Sequence, residues 1–328
     1  MTKIAIVGPL DPDSFADNLV DAARRSGHDV LGLGPAQPRL RPQRVQNVAG
    51  IISERSPRLA SKLQSKLVTA ALEFKPDVLV SVDRRLTSES VRRIGASGTK
   101  TALWFPDHVH NLGRLDVLLA GYDFLFFKNP ILVSQLAEIY GVRAVYLPEG
   151  ANPTWHRPVG EYGVDPSIVV AGNVYPTRAL LLQRLLEAGI PLRIFGAPIA
   201  PWIEFPDLRQ LHENFSVTRE EKARAFRSST AVLNNLHPAE FAGSNCRMFE
   251  AAASGAVVLT EPRQGMEELF EYGREVVPFR SFDQLVEAYR RLVAHPEEGR
   301  AIADAAAARA AREHTWDQRL DQLLVELL

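Results

Sequence analysis

The chain has 328 residues, 46% of them apolar and 23% charged, with a formal net charge of −1. That length has room for two ordinary cores, and the composition excludes a disordered or fibrous chain and gives no bulk-charge argument for nucleic acid. A single cysteine, Cys246, excludes an intrachain disulfide and a Cys-based zinc site and fits a reducing, cytoplasmic setting.

Strand-like and helix-like segments alternate along the chain, the pattern of parallel βαβ sheets. "KIAIVG" (3–8) opens a strand almost at once, so no leader is expected, and no apolar run approaches the ~20 residues that span a bilayer. Ser14 is placed to cap a helix through Ser26, with Gly27 at its C-terminal turn. "HDVLGLG" follows as a strand, and Pro57 then suits the first turn of a helix with Leu59, Leu63 and Leu67 on one face. "DVLVSVD", "TALWFPD", "DFLFFKN" and "AVYLPEG" are short and Val/Leu/Phe-rich, as strands covered on both faces should be.

"LPEGANPTWHRPVGEYGVDPS" (147–167) breaks the rhythm with Pro, Gly and polar residues and reads as an interdomain connection. The alternation restarts with "IVVAGN", a helix from about Pro176 to Ala188, "LRIFG", a long loop, a helix near Thr218 to Ser228, and "AVLNN". "EVVPF", two helices from Phe282 and a final helix from Trp316 complete the chain. The reading is α/β, with two successive Rossmann-like halves, 1–150 and 151–315, and a C-terminal helix, 316–328, expected to return to the first half. In such sheets ligands sit beyond the carboxyl ends of the strands. That rule selects Gly8 to Ser14, Asp83, Asp107 to Asn111 with His108 and His110, Glu149 to Asn152, Gly172 to Arg178 with Asn173, Gly196, and the loop from Asn235 to Asn245.

Within "GSNCRMFEAAASGAVVLTE" (243–261), Ser244 is the expected cap of an Ala-rich helix whose first turn carries Asn245 and Arg247. Free N–H groups and an arginine fork there suit phosphate oxygens. Glu250, three residues on, shares the face ~4.5 Å further along the axis, where a carboxylate accepts from ribose hydroxyls. Spacing alone reads equally as an exposed Arg247–Glu250 salt bridge.

"RMFEAAASGAVVLTE" followed by "GMEELFEYGREVVPFRSFDQLVEAYRRLVAHPE" resembles the donor-binding half of GT-B glycosyltransferases, in particular the CgeB-type (spore maturation protein-like) group related to the group 1 glycosyl transferases. "LPEGANPTWHRP" is similar to the interdomain segment of retaining GT-B enzymes, and "WFPDH" resembles an acceptor-domain element of the CgeB-type group. The resemblance implies two Rossmann-like domains with parallel sheets facing a central cleft. The first would bind the acceptor and the second the nucleotide sugar. By the same analogy Glu250 holds the ribose and Arg247 the diphosphate, with Arg178 as the second cation and backbone near Gly172, Asn173 and Gly196 approaching the phosphates. The large retaining family carries a further glutamate upstream of the ribose glutamate. Here Phe241 and Ala242 occupy that neighbourhood, and Glu240 is the candidate for the place. Beyond Gly150 the only lysine is Lys222, so the Arg–Lys pair of related enzymes is not evident.

On the acceptor side a His beside a carboxylate, His108 with Asp107, fits a general base or a sugar-hydroxyl ligand, and equally an ordinary polar loop. Asp11 to Asp13, "DPD", imitates a metal motif but reads as turn chemistry, and no cofactor or metal is expected. Basic residues Arg39, Arg41, Arg44, Arg55, Arg58, Lys62 and Lys66 face Glu54 alone. This is a solvated face or, alternatively, a peripheral contact with anionic lipid at the inner membrane face. The expected activity is metal-independent, retaining transfer of a hexosyl group from a nucleoside-diphosphate sugar to a small-molecule, glycan or lipid-linked acceptor. The rivals are a nucleotide-sugar epimerase of the same architecture and a non-catalytic nucleotide- or sugar-binding homologue.

Overall fold

The computed structural model describes residues 1–37, 56–113 and 116–328. Of the basic run, Arg39, Arg41, Arg44, Arg55 and the lone Glu54 lie outside these residues, while Arg58, Lys62 and Lys66 are exposed. The chain divides into two compact units, Met1–Pro148 with Asp317–Leu328, and Glu149–Trp316. Among the described residues no helix is long and apolar enough to cross a membrane.

In the first unit, β1 (Lys3–Val7) leads into α1 (Phe15–Arg25), whose cap Ser14 accepts from Asp17 N. Next come β2 (Asp29–Gly34), α2 (Pro57–Leu63), α3 (Ser65–Phe74), β3 (Val78–Ser81) and α4 (Ser88–Gly95). β4 (Lys100–Phe105), β5 (Phe124–Phe127), α5 (Pro130–Glu138) and β6 (Ala144–Tyr146) follow. The strands form one parallel sheet in the order β2-β1-β3-β4-β5-β6. Its central strands are buried on both faces, as β3 shows with all four residues inside, because helices cover both sides of a parallel sheet.

The helix expected from Pro57 is interrupted at Gln64, and Leu59 and Leu63 remain 41% and 49% exposed. Gln64 is the reason. Its buried side-chain oxygen accepts from Thr87 N, Thr87 Oγ1 and Ser90 Oγ, and its amide donates to the Arg85 carbonyl. Turning the chain to seat that amide takes the two leucines off the core face.

In the second unit, β7 (Asp165–Ala171), α6 (Pro176–Glu187), β8 (Leu192–Phe195) and α7 (Pro206–Leu211) come first. α8 (Arg219–Ser228), β9 (Ser229–Asn234), α9 (Cys246–Ala253), β10 (Val258–Thr260) and β11 (Val277–Pro278) follow. α10 (Phe282–Ala294) and α11 (Pro296–Glu313) complete the unit. α7 lies in the stretch expected to be loop. The sheet is parallel, in the order β11-β10-β9-β7-β8. Alternation splits its core cleanly: Ile168, Val170, Ala231, Leu233 and Leu259 join one apolar layer, and Val169, Val232 and Val258 the other.

The last helix, α12 (Trp316–Leu327), lies in the first unit apart from its first residue. It buries Leu320, Leu323, Leu324 and Leu327, one helical face. Asp317 at its start meets the α1 residue Arg25 in a two-pronged ion pair, at 2.8 and 3.2 Å.

His212 is buried beside β8 and accepts from Asn214 N at 2.9 Å. Burial holds its imidazole below the ordinary 6.5, outweighing Asn214 and Glu213, which favour the charged form. On acidification the unfolded chain therefore takes this proton first, and stability falls as pH drops below about 6.5 towards the folded value. Urea midpoints measured at about pH 7 and about pH 5 should fall less for His212→Gln than for the wild type.

Candidate functional site

In the second sheet, β7 has β8 on one side and β9 on the other, so the chain order reverses at β7. Ligands of open α/β sheets settle outside the carboxyl ends of the strands at such a point. Here those ends are Ala171 and Asn234.

Asn234 and the next residue, Asn235, point to opposite sides because a strand alternates. The Asn234 amide donates to Thr260 Oγ1, and its oxygen lies 3.5 Å from Arg247 NH1. The Asn235 amide donates to Tyr175 OH at 3.2 Å, and its oxygen accepts from Arg178 Nε at 2.8 Å. Arg178, in the first turn of α6, also donates to the carbonyls of Asn173 (2.6 Å) and Asn235 (3.0 Å) and lies over the Tyr175 ring. Arg247, in the first turn of α9, donates through Nε to the Ala171 carbonyl. The two arginines therefore hold the two strand ends, Arg247 through Ala171 and Asn234, and Arg178 through Asn173 and Asn235.

They converge over Gly172. A Cβ on Gly172 would lie 2.6 Å from Arg247 NH2 and 3.5 Å from Arg178 NH1, and one on Gly196 would lie 2.6 Å from the Gly172 carbonyl oxygen. Both glycines have positive φ, 121° and 151°, which side chains rarely adopt. Gly172, Asn173 and Gly196 thus form a bare backbone shelf under two guanidiniums. Among the described residues neither arginine has a carboxylate within 4 Å. Burial, and then the Arg247 charge, pull the Arg178 guanidinium down to about 10, so Arg178 stays charged at neutral pH. Two guanidiniums held by neutral oxygens alone are an arrangement that can receive an anion.

Helix α9 differs from expectation at its start. Asn245, not Ser244, is the N-cap residue, and neither side chain caps the helix. The Ser244 hydroxyl turns instead towards Met248 Sδ at 2.9 Å, drawn into the apolar layer beneath. The Asn245 side-chain oxygen is buried without a hydrogen-bond partner.

Glu250 is buried one turn further along α9, and its ion-pair partner is Lys222 at 2.9 Å, not Arg247. The exposed Arg247–Glu250 bridge permitted by spacing does not form, because Arg247 turns to β7. Lys222 comes from α8, so helical periodicity in α9 could not reveal it. Glu149 is buried, and its charge and that of Glu250 add to desolvation in pushing the Cys246 thiol well above its ordinary value. Glu240 is buried in the loop after β9, accepting from His237 N at 3.2 Å, while Arg263 Nε donates to its carbonyl. Its charge acts on Arg178 and Tyr175.

In the first unit, Asp107 is exposed just after β4, accepting from His108 N and from the Asn111 amide. His108 Nε2 lies 3.8 Å from Asp107 Oδ1, and the His108 and His110 rings are 6.1 Å apart. Asp83 has a clear structural use: its carboxylate accepts from Ala36 N, Arg85 N and the Arg85 guanidinium. Gly8 is demanded by packing, since a Cβ there would lie 2.3 Å from Val82 Cγ2.

Residues 178–325 match the glycosyl transferase-like family model. No curated protein sequence matches significantly. Solved structures align along essentially the whole chain. Sucrose-phosphate synthase from Thermosynechococcus elongatus has a TM-score of 0.69 at 13% identity, covering 99% of this chain and 98% of its own. Anabaena Alr3699/HepE, solved in complex with UDP-glucose, has 0.65 at 16% identity, covering 100% of both chains. AviGT4, a glycosyltransferase involved in avilamycin A biosynthesis, has 0.63 at 18% identity, covering 100% of this chain and 97% of its own. The chain therefore has the GT-B fold over its full length, and its residues 178–325 are similar to the glycosyl transferase-like family.

Proposed function

We propose that this protein is a glycosyltransferase that moves a sugar from a nucleoside-diphosphate sugar to an acceptor hydroxyl. The observation that carries this reading is the pair of carboxylate-free arginines, Arg178 and Arg247, meeting over Gly172 at the reversal point of the second sheet. A leaving diphosphate is the anion that such a pair serves. Glycosyl transfer puts positive charge on the anomeric carbon and negative charge on the departing phosphate. Fixed donors aimed at that phosphate stabilise the transition state more than the ground state. Glu250, buried one turn beyond Arg247, is assigned the ribose hydroxyls, and Glu240 the donor-sugar side.

The reading is metal-independent and retaining. On this reading the departing diphosphate's own oxygen takes the acceptor's proton, and the second unit needs no further base. The first unit is assigned the acceptor, with Asp107, His108 and His110 as its hydroxyl ligands. A hexosyl donor and UDP are the first choices, because one structure of this fold holds UDP-glucose. Assignment to the CgeB-type group rests on the "RMFEAAASG" spelling, and a cytoplasmic setting on the single cysteine.

A thermal-shift screen against UDP, GDP, ADP, CDP and dTDP should return one stabilising nucleotide, by about 2.7 kcal/mol at 100 times its dissociation constant. Arg247→Gln should raise that constant by roughly tenfold or more, the value of a charge-assisted hydrogen bond. Gly172→Ala should do the same by driving Arg247 aside, while Asp83→Asn, remote in sequence and used structurally, should leave nucleotide affinity within about twofold. With an anomerically labelled donor, transfer with retention is the expected product. Inverted product, a C-epimer formed without acceptor, or tight binding without turnover would each replace the reading.

A further inference from the structure

Glu250 is not simply buried; it is held. Its Oε1 receives the Lys222 ammonium at 2.9 Å, with the two side chains 7% and 11% exposed. Its other carboxylate oxygen, Oε2, has no hydrogen bond with the described residues. Lys222 is delivered by an unusual helix start. Arg219, the first residue of α8, has φ 52° and its guanidinium lies 4.2 Å over the Trp155 ring. A non-glycine residue with positive φ stores strain that surrounding contacts must sustain. One turn later on the same face stands Lys222. Burying an ammonium with a carboxylate is a poor way to gain stability, since apolar residues of similar volume serve as well or better. What the pair does supply is a carboxylate with one oxygen held by an ammonium and the other without a hydrogen bond among the described residues.

We infer that Lys222 is a positioning residue for pentose recognition: by occupying Oε1 of Glu250 it orients Oε2 to accept from a ribose hydroxyl. The inference rests on the nucleotide reading of this site and deepens it, because it makes the donor a ribonucleotide rather than a deoxyribonucleotide. The phosphate end is independent of it, being held by Arg178 and Arg247. The ammonium stays bound to the carboxylate throughout, so recognition is a matter of orientation and needs no proton transfer between the two.

The test is titration calorimetry with UDP, GDP, ADP and CDP, with the 2′-deoxy form of whichever binds best, and with inorganic pyrophosphate. Lys222→Met should weaken the ribonucleotide roughly tenfold or more and bring the ribo-to-deoxy affinity ratio close to one, with pyrophosphate changed by less than about twofold. Lys222→Arg, which keeps a donor opposite Oε1, should restore most of the ratio. A folded Lys222→Met protein with the wild-type ratio overturns the inference and leaves the nucleotide reading standing. Failure of every nucleotide to bind the wild type overturns both. Should Lys222→Met not fold, Lys222→Met/Glu250→Leu, which removes both charges, is compared with Glu250→Leu. Equal ribonucleotide affinities support action through Glu250, and a further loss in the double variant overturns it.

Discussion

Two like charges held together with no carboxylate at ion-pair distance among the described residues are the constraint on which the second unit is organised. Desolvation first and repulsion second disfavour a charged Arg178 beside Arg247 and pull its guanidinium down to about 10. The fold offsets it with neutral oxygens: the carbonyls of Ala171, Asn173 and Asn235 and the amide oxygens of Asn234 and Asn235. Carboxylates would have stabilised the cations more, but would also have cancelled the charge a ligand needs. Oriented dipoles hold the guanidiniums in place and leave their net charge for an anion.

The other end of the site obeys the opposite rule. One turn along α9 the cation Lys222 is paired directly with the carboxylate of Glu250, and the buried Glu149 also acts on this region. A cationic end without a bound carboxylate and an ion-paired polar end make up the division on which the proposed nucleotide reading rests. Sheet order produces this division. Reversal at β7 brings the ends of β7 and β9 side by side, and Asn234 and Asn235 each take one arginine.

Much of this was legible in the residues. Short Val/Leu/Phe runs separated by helix caps and turn glycines gave the strands in order, because a parallel strand covered on both faces has little freedom in composition. The strand-end rule offered Gly172, Gly196 and Arg178 as candidates, and helix spacing with the family resemblance offered Arg247 and Glu250. Errors arose where a side chain's partner was distant in sequence. Leu59 and Leu63 left the core because Gln64 reaches Thr87 and Ser90. Ser244 lost the cap position to Asn245 because the Met248 sulfur lies below it.

By itself the sequence determined the alternating α/β character, the break after residue 147 and the residue types at each strand end, since these depend on local pattern and turn chemistry. Tertiary structure alone decided which charge meets which. Lys222 stands 28 positions before Glu250, and Ala171 stands 76 before Arg247. Coulombic and hydrogen-bond partners are set by distance in space, and only the order of strands in the sheet converts positions in the chain into such distances.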